Sequence, residues 1–124
     1  MYWFKFYVFF NVLILTVLAL HVSRVRIKEK TPNGDGGKVS LKKAIRSHVN
    51  GVEHVTAFGL LILALAADTN TIILATLVIG FTIARVVHAA GMLNVSAALR
   101  VSAASFTYLA EVAGLIVLGS QLLA

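Results

Sequence analysis

The apolar run YWFKFYVFFNVLILTVLALHV, residues 2–22, decides the fold class of this chain. Lys5 is its one formally charged residue, and a helix that crosses a bilayer needs about 20 consecutive apolar residues. Aromatic side chains crowd its start, as in the interfacial belts of membrane helices. A dense basic segment follows the apolar run, and the small-residue cleavage site of a signal peptide is not found after it. We therefore interpret residues 2–26 as a retained transmembrane helix and not as a signal peptide.

The composition of the whole chain agrees with a membrane protein. Its 124 residues are 59% hydrophobic and 13% charged, with a mean hydropathy of +0.90. Soluble domains carry about 25% charged residues, so this chain has too few to cover a water-facing surface. The sequence contains no cysteine, which excludes a disulfide framework, a cysteine nucleophile and a thiolate metal site. The length allows one domain, residues 1–124.

Positive charge is concentrated in one segment. Residues 24–46 hold eight lysines and arginines against Glu29 and Asp35, and so account for the whole formal net charge of +6. Basic patches can bind nucleic acid, but a short basic loop between two apolar segments follows the positive-inside rule. We predict that the loop at 28–40 is cytoplasmic, that both termini lie on the opposite side, and that the membrane is a bacterial inner membrane. No nucleic-acid partner is expected.

Three further apolar segments complete the predicted fold. With the first helix at 2–26, the others are expected at 41–67, 69–93 and 97–123, with a tight turn at 68–70 and a short connection at 94–96 that returns to the cytoplasmic face. The sequence therefore predicts an all-α, integral membrane four-helix bundle with the lipid bilayer as its surroundings.

Polar residues on the second and third helices are placed in register with each other. Arg46, Asn50 and Glu53 follow the spacing i, i+4, i+7 and share one helix face. Counted from the turn, Glu53 and Arg85 lie at equal depth, and so do Asn50 and His88 one helical turn nearer the basic loop. A charge at membrane depth costs about 2.5–3.5 kcal/mol even on lenient scales. We therefore expect Glu53 and Arg85 to form an ion pair.

Two interpretations of this polar region stay open at the level of the residues. An ion pair that fixes the helix register would explain Glu53 and Arg85 alone. Asn50 and His88 form a second polar layer, and Arg46 and Arg100 lie at the cytoplasmic rim. Together they favour a zwitterionic ligand with several carboxylates, such as a small peptide. The rival functions are a membrane protein without enzymatic activity, with a structural or small-ligand role, and a small transporter that uses Glu53, His88 and Glu111.

The remaining polar residues carry weaker expectations. His21 and His54 are interpreted as packed or interfacial side chains, since no spacing of histidines and acids supports a zinc site. Glu111, near the middle of the fourth helix, needs a partner that the sequence does not identify. A neutral buried carboxylic acid is the simplest interpretation of it.

Two motifs resemble those of a known family. RSHVNGVE at 46–53, followed by RVVH at 85–88, resembles the MAPEG family, the membrane-associated proteins in eicosanoid and glutathione metabolism. Length, helix number and the basic first loop agree over essentially the whole chain. GDGG at 34–37 and the residues after it look more like the small bacterial branch than the mammalian synthases.

This resemblance implies a homotrimer with glutathione, as co-substrate, bound at each subunit interface and no metal. The activity implied is a transferase or peroxidase that acts on a lipophilic electrophile or hydroperoxide entering from the lipid. The residues that match the glutathione-site motifs are Arg46, Asn50, Glu53, Arg85 and His88. Arg24, or Arg26 in its place, resembles an arginine that the neighbouring subunit contributes.

Arg100 resembles the arginine that stabilises the glutathione thiolate in characterised members. A thiol with a pKa near 8.5 needs a nearby cation to be an effective nucleophile at neutral pH. Two departures from the family pattern concern the substrate. Met92 stands where several members have a tyrosine, and Tyr108 lies about one helical turn further from Arg100 than the comparable synthase tyrosine.

Overall fold

Four long helices make up the fold in the computed structural model, which describes residues 1–93 and 96–123. Their bounds are α1 Tyr2–Glu29, α2 Val39–Leu65, α3 Thr71–Met92 and α4 Ala97–Leu122. Each is long and apolar enough to cross a membrane. The all-α, four-helix membrane fold is therefore confirmed, and the chain is an integral multi-pass membrane protein. Most of the expected connection at 94–96 lies outside the described residues.

The helix ends differ from the predicted ones for local reasons. α1 continues to Glu29 instead of 26 and stops where Lys30 adopts a left-handed conformation with a φ of 52°. α3 begins at Thr71 instead of 69, because the side chain of Asn70 accepts a hydrogen bond from the backbone N–H of Ile72 at 2.8 Å and so caps the helix. α2 begins at Val39, two residues earlier than expected.

The helices are arranged so that α2 and α3 separate the other two. α1 packs on α2 and α3, and α4 packs on the same pair, while no Cα atoms of α1 and α4 come within 8 Å of each other in the described part of the chain. α1 and α4 therefore leave wide apolar faces for lipid or for another subunit. The α2–α3 pair holds the buried centre.

Aromatic side chains fill that centre. The rings of Phe58 and Phe81 stack with centroids 4.0 Å apart, and the Tyr7 ring packs against both. The Tyr7 hydroxyl donates to the backbone carbonyl of Val55 at 2.7 Å. Because a buried hydroxyl needs a partner, this bond fixes the rotation of α1 against α2.

The connection between α1 and α2 is held by side chains from both helices. Arg26 Nη1 donates to the carbonyl of Gly34 at 2.7 Å, and the Ser40 hydroxyl donates to Glu29 Oε1 at 2.8 Å. Gly36 has a φ of 55°, and a Cβ there would lie 2.9 Å from the Thr31 side chain. The basic segment is therefore an ordered turn and not a loose linker.

Candidate functional site

A cleft of about 1140 Å³ opens between α2, α3 and α4, at the end of the bundle that carries the α1–α2 connection. α2 contributes Arg46, Asn50 and Glu53, α3 contributes His88, and α4 contributes Arg100. These residues come from three helices, and the fold brings them to one surface. Five of the seven predicted site residues therefore meet in a single cleft.

The polar part of the cleft is strongly cationic. Four positively charged side chains, Lys42, Lys43, Arg46 and Arg100, line it together with one carboxylate, that of Glu53. Such an arrangement attracts an anionic ligand and still offers one acceptor for a ligand cation. The rest of the wall is largely apolar and extends along α4 to Tyr108. The cleft can therefore hold a polar molecule beside an apolar one.

His88 is nearly enclosed at the α3 side of the cleft. It is 6% exposed, and its Nδ1 atom is buried without a hydrogen-bond partner in the described part of the chain. Any contact with a ligand must therefore be made through the part of the ring that lines the cleft.

Arg85 does not line the cleft, although the sequence placed it in the site. It is 2% exposed, and its Nη2 atom donates to Asn50 Oδ1 at 2.9 Å. The expected ion pair with Glu53 is wrong: within one subunit the two charged groups form no salt bridge, and Glu53 is exposed on the cleft wall.

The register of the α2–α3 turn explains this difference. The turn runs from Ala66 to Asn70 and is centred on Asp68, whereas the sequence prediction assumed a centre at Thr69. Counted from Asp68, Arg85 is level with Gly51 instead of Glu53. A Cβ on Gly51 would lie 4.0 Å from Arg85 Nη2, so the shift of register is visible in the packing.

Glu111 has a partner that the sequence analysis missed. His54 Nδ1 lies 2.7 Å from Glu111 Oε1, and the two side chains are 15% and 21% exposed. The Tyr108 ring meets the His54 ring edge to face, with centroids 5.2 Å apart. No local sequence pattern signals the contact between His54 and Glu111, because its members lie 57 positions apart.

Gly91 brings α4 close to α3 at the position of Arg100. A Cβ on Gly91 would lie 2.7 Å from the backbone nitrogen and 2.9 Å from the Cα of Arg100. Real Cβ atoms do not approach this closely, so only glycine allows the first turn of α4 to lie here. Gly91 therefore sets the position of Arg100 in the cleft.

The order of these residues along the chain agrees with a family model. The model of the MAPEG family matches residues 4–120, which includes every residue of the cleft and all of the four helices except the first two residues of α1 and the last two of α4. The chain belongs to the MAPEG family. Comparison with curated proteins and with solved structures found no match.

Two arginines of α1 were candidates for the contribution of one MAPEG subunit to the next. Arg26 is engaged by the carbonyls of the α1–α2 connection, Gly34 above all. Arg24 is exposed and makes no hydrogen bond or ion pair within the described chain. It also lies outside the cleft of its own subunit. Arg24 is therefore the better candidate of the two.

The potential metal ligands of this MAPEG chain are not clustered where the structure describes it. Among residues 1–93 and 96–123, no three histidine, cysteine or acidic side chains are close enough together to hold a metal ion. The chemistry available at the cleft is that of guanidinium, ammonium, amide, imidazole and carboxylate groups.

Proposed function

We propose that this protein is a glutathione-dependent membrane enzyme, a transferase or peroxidase that acts on a lipophilic electrophile or hydroperoxide. The observation that carries the proposal is the cleft itself, in which four cations and one carboxylate from α2 and α4 surround Asn50 and His88. Family membership supports the same assignment.

The residues of the cleft fit the chemistry of glutathione. The tripeptide has two carboxylates, one ammonium group, two peptide bonds and a thiol. Arg46 and Lys42 suit the carboxylates, Glu53 suits the ammonium group, and Asn50 suits a carboxylate or peptide oxygen. Each charged group of the ligand therefore has an available counterpart.

Arg100 is proposed to stabilise the thiolate. Bound glutathione supplies a sulfur nucleophile, which is effective only when deprotonated. Arg100 makes no side-chain hydrogen bond within the described chain and lines the cleft next to Val101 and Ala104. Its guanidinium is therefore free to face a sulfur anion at the border between the polar part of the cleft and its apolar wall.

A homotrimer with the site at the subunit interface is part of the proposal. Glu53 lies near the middle of α2, yet it is exposed in the single chain. A carboxylate left facing hydrocarbon costs about 2.5–3.5 kcal/mol or more, so a neighbouring subunit or a bound ligand is expected to cover this face. Arg24, which is exposed and does not line its own cleft, is proposed to reach the cleft of a neighbour.

The orientation in the membrane follows from the basic segment. The cleft opens at the same end of the bundle as the α1–α2 connection, and the positive-inside rule assigns that end to the cytoplasm. We therefore propose a bacterial inner membrane protein with a cytoplasmic cleft opening and both termini on the opposite side.

The test is turnover by the purified protein in detergent. Conjugation of glutathione to 1-chloro-2,4-dinitrobenzene and reduction of a lipid hydroperoxide are measured for the parent and for Arg100→Ala. A suitable control is Lys28→Ala, which removes a positive charge at the same end but outside the cleft.

We expect activity in the parent and in Lys28→Ala and a loss of 10-fold or more, on the order of one missing transition-state contact, in Arg100→Ala. Full activity in Arg100→Ala would overturn the role of this arginine. Stabilisation of the parent by glutathione without turnover would identify a binding protein, and substrate flux in liposomes would identify a transporter.

A further inference from the structure

We infer that Arg85 is a positioning residue that turns the Asn50 amide so that its N–H donors face the ligand. The inference deepens the proposed function, on which it rests for the identity of the ligand.

The first step concerns the orientation of the Asn50 amide. Arg85 Nη2 lies 2.9 Å from an amide atom of Asn50. A guanidinium group only donates hydrogen bonds, so the amide atom facing it must be the oxygen. The amide nitrogen therefore points to the other side of the planar group.

The second step concerns what that nitrogen meets. Asn50 lines the cleft, and its Nδ2 atom has no hydrogen-bond partner in the described chain, nor is it a buried orphan atom. With Oδ1 engaged behind it, Asn50 offers the cleft two donors and no acceptor. These two donors favour contact with a carboxylate or peptide carbonyl oxygen of the ligand over contact with an N–H group.

The decisive variant is Asn50→Asp, which replaces the amide nitrogen with oxygen and leaves the shape unchanged. One carboxylate oxygen keeps the contact with Arg85, now as a charge-assisted bond, and the other faces the ligand as an acceptor. Without glutathione, the melting temperature of Asn50→Asp is expected to equal or exceed that of the parent. The affinity for glutathione, measured by calorimetry or thermal shift in detergent, is expected to fall at least 10-fold. Asn33→Asp is the matched control, because it adds the same charge in the exposed connection outside the cleft.

A second comparison tests the part played by Arg85. In a background with Arg85→Met and Glu111→Gln, which removes one charge of each sign, the amide is no longer fixed. The same Asn50→Asp change is expected to cost at most threefold in affinity there, so the two changes are non-additive. An undiminished loss in this background would overturn the positioning role.

The remaining outcomes separate the inference from the proposed function. Unchanged or tighter glutathione binding by Asn50→Asp would overturn the donor orientation. If the parent itself is not stabilised by glutathione, the proposed function fails. The ligand-free comparison then decides the inference, since a less stable Asn50→Asp protein would mean that Asn50 is not held by Arg85.

Discussion

His54 Nδ1 and Glu111 Oε1 lie 2.7 Å apart and join the middle of α2 to the middle of α4. The edge of the Tyr108 ring packs against His54 and supports this contact. The carboxylate that matters most for the stability of one subunit is therefore that of Glu111, and Glu53 is left to the cleft.

Glu111→Gln is expected to destabilise the solubilised protein more than Glu53→Gln. The first change weakens the 2.7 Å contact with His54 between two largely buried side chains, at a cost of about 1–3 kcal/mol. The second changes a side chain that is exposed in the described chain. Chemical denaturation in detergent, followed by circular dichroism, measures both. The sequence alone predicted the reverse order, and observation of that order would show that the His54–Glu111 contact adds little to stability.

Gly91→Ala is expected to lower activity by displacing Arg100. The added methyl group would lie 2.7 Å from the backbone nitrogen of Arg100, so the start of α4 must move and the guanidinium with it. We expect a loss of activity of about 10-fold or more, because small displacements of a catalytic group are costly. Gly80→Ala is the control, since a Cβ there meets nothing within 4 Å. Equal activity in the two variants would show that α4 tolerates the shift.

Oligomers that contain both Arg24→Ala and Arg100→Ala subunits are expected to recover activity that each variant lacks alone. If Arg24 of one subunit completes the cleft that holds Arg100 of the next, every trimer that contains both inactive variants keeps about one intact interface in three. Activity is measured after co-expression with two different affinity tags and sequential purification. If verified mixed oligomers stay inactive, either both arginines belong to the site of a single subunit, or one of them lies outside the site.

Tyr7→Phe is expected to reduce stability by about 1 kcal/mol, because it removes one buried hydrogen bond. The hydroxyl donates to the Val55 carbonyl at 2.7 Å and joins α1 to α2. Tyr2→Phe serves as the control, since Tyr2 is 68% exposed. Thermal unfolding of the two variants beside the parent gives the difference. If the unfolding curves of Tyr7→Phe and the parent are the same, the Tyr7 hydroxyl adds no stability, because the Val55 carbonyl already has its hydrogen bond within α2.

Most of the residues that form the candidate site could be predicted from the sequence. Arg46, Asn50, Glu53, His88 and Arg100 were expected in the site and line one cleft. Helical spacing put the first three on one face, and His88 lies near the same end of the α2–α3 pair, although the depth assigned to it was displaced with the turn centre. The spacing prediction worked because it depends only on distances within one helix.

The partners of the buried charges could not be predicted in the same way. A displacement of the turn centre by one residue moves the level of Arg85 from Glu53 to Gly51, and so to its hydrogen bond with Asn50. The contact between His54 and Glu111 joins residues 57 positions apart, and no local pattern connects them.

The sequence by itself determined that this chain enters a membrane as four helices, because apolar length and helical period are local properties that no distant contact can reverse. Only the tertiary structure decided which polar groups face the cleft and which balance each other inside the bundle. Those relations depend on the rotation and register of whole helices. Close packing at Gly91 and the capped turn at Asn70 are two of the contacts that set this register.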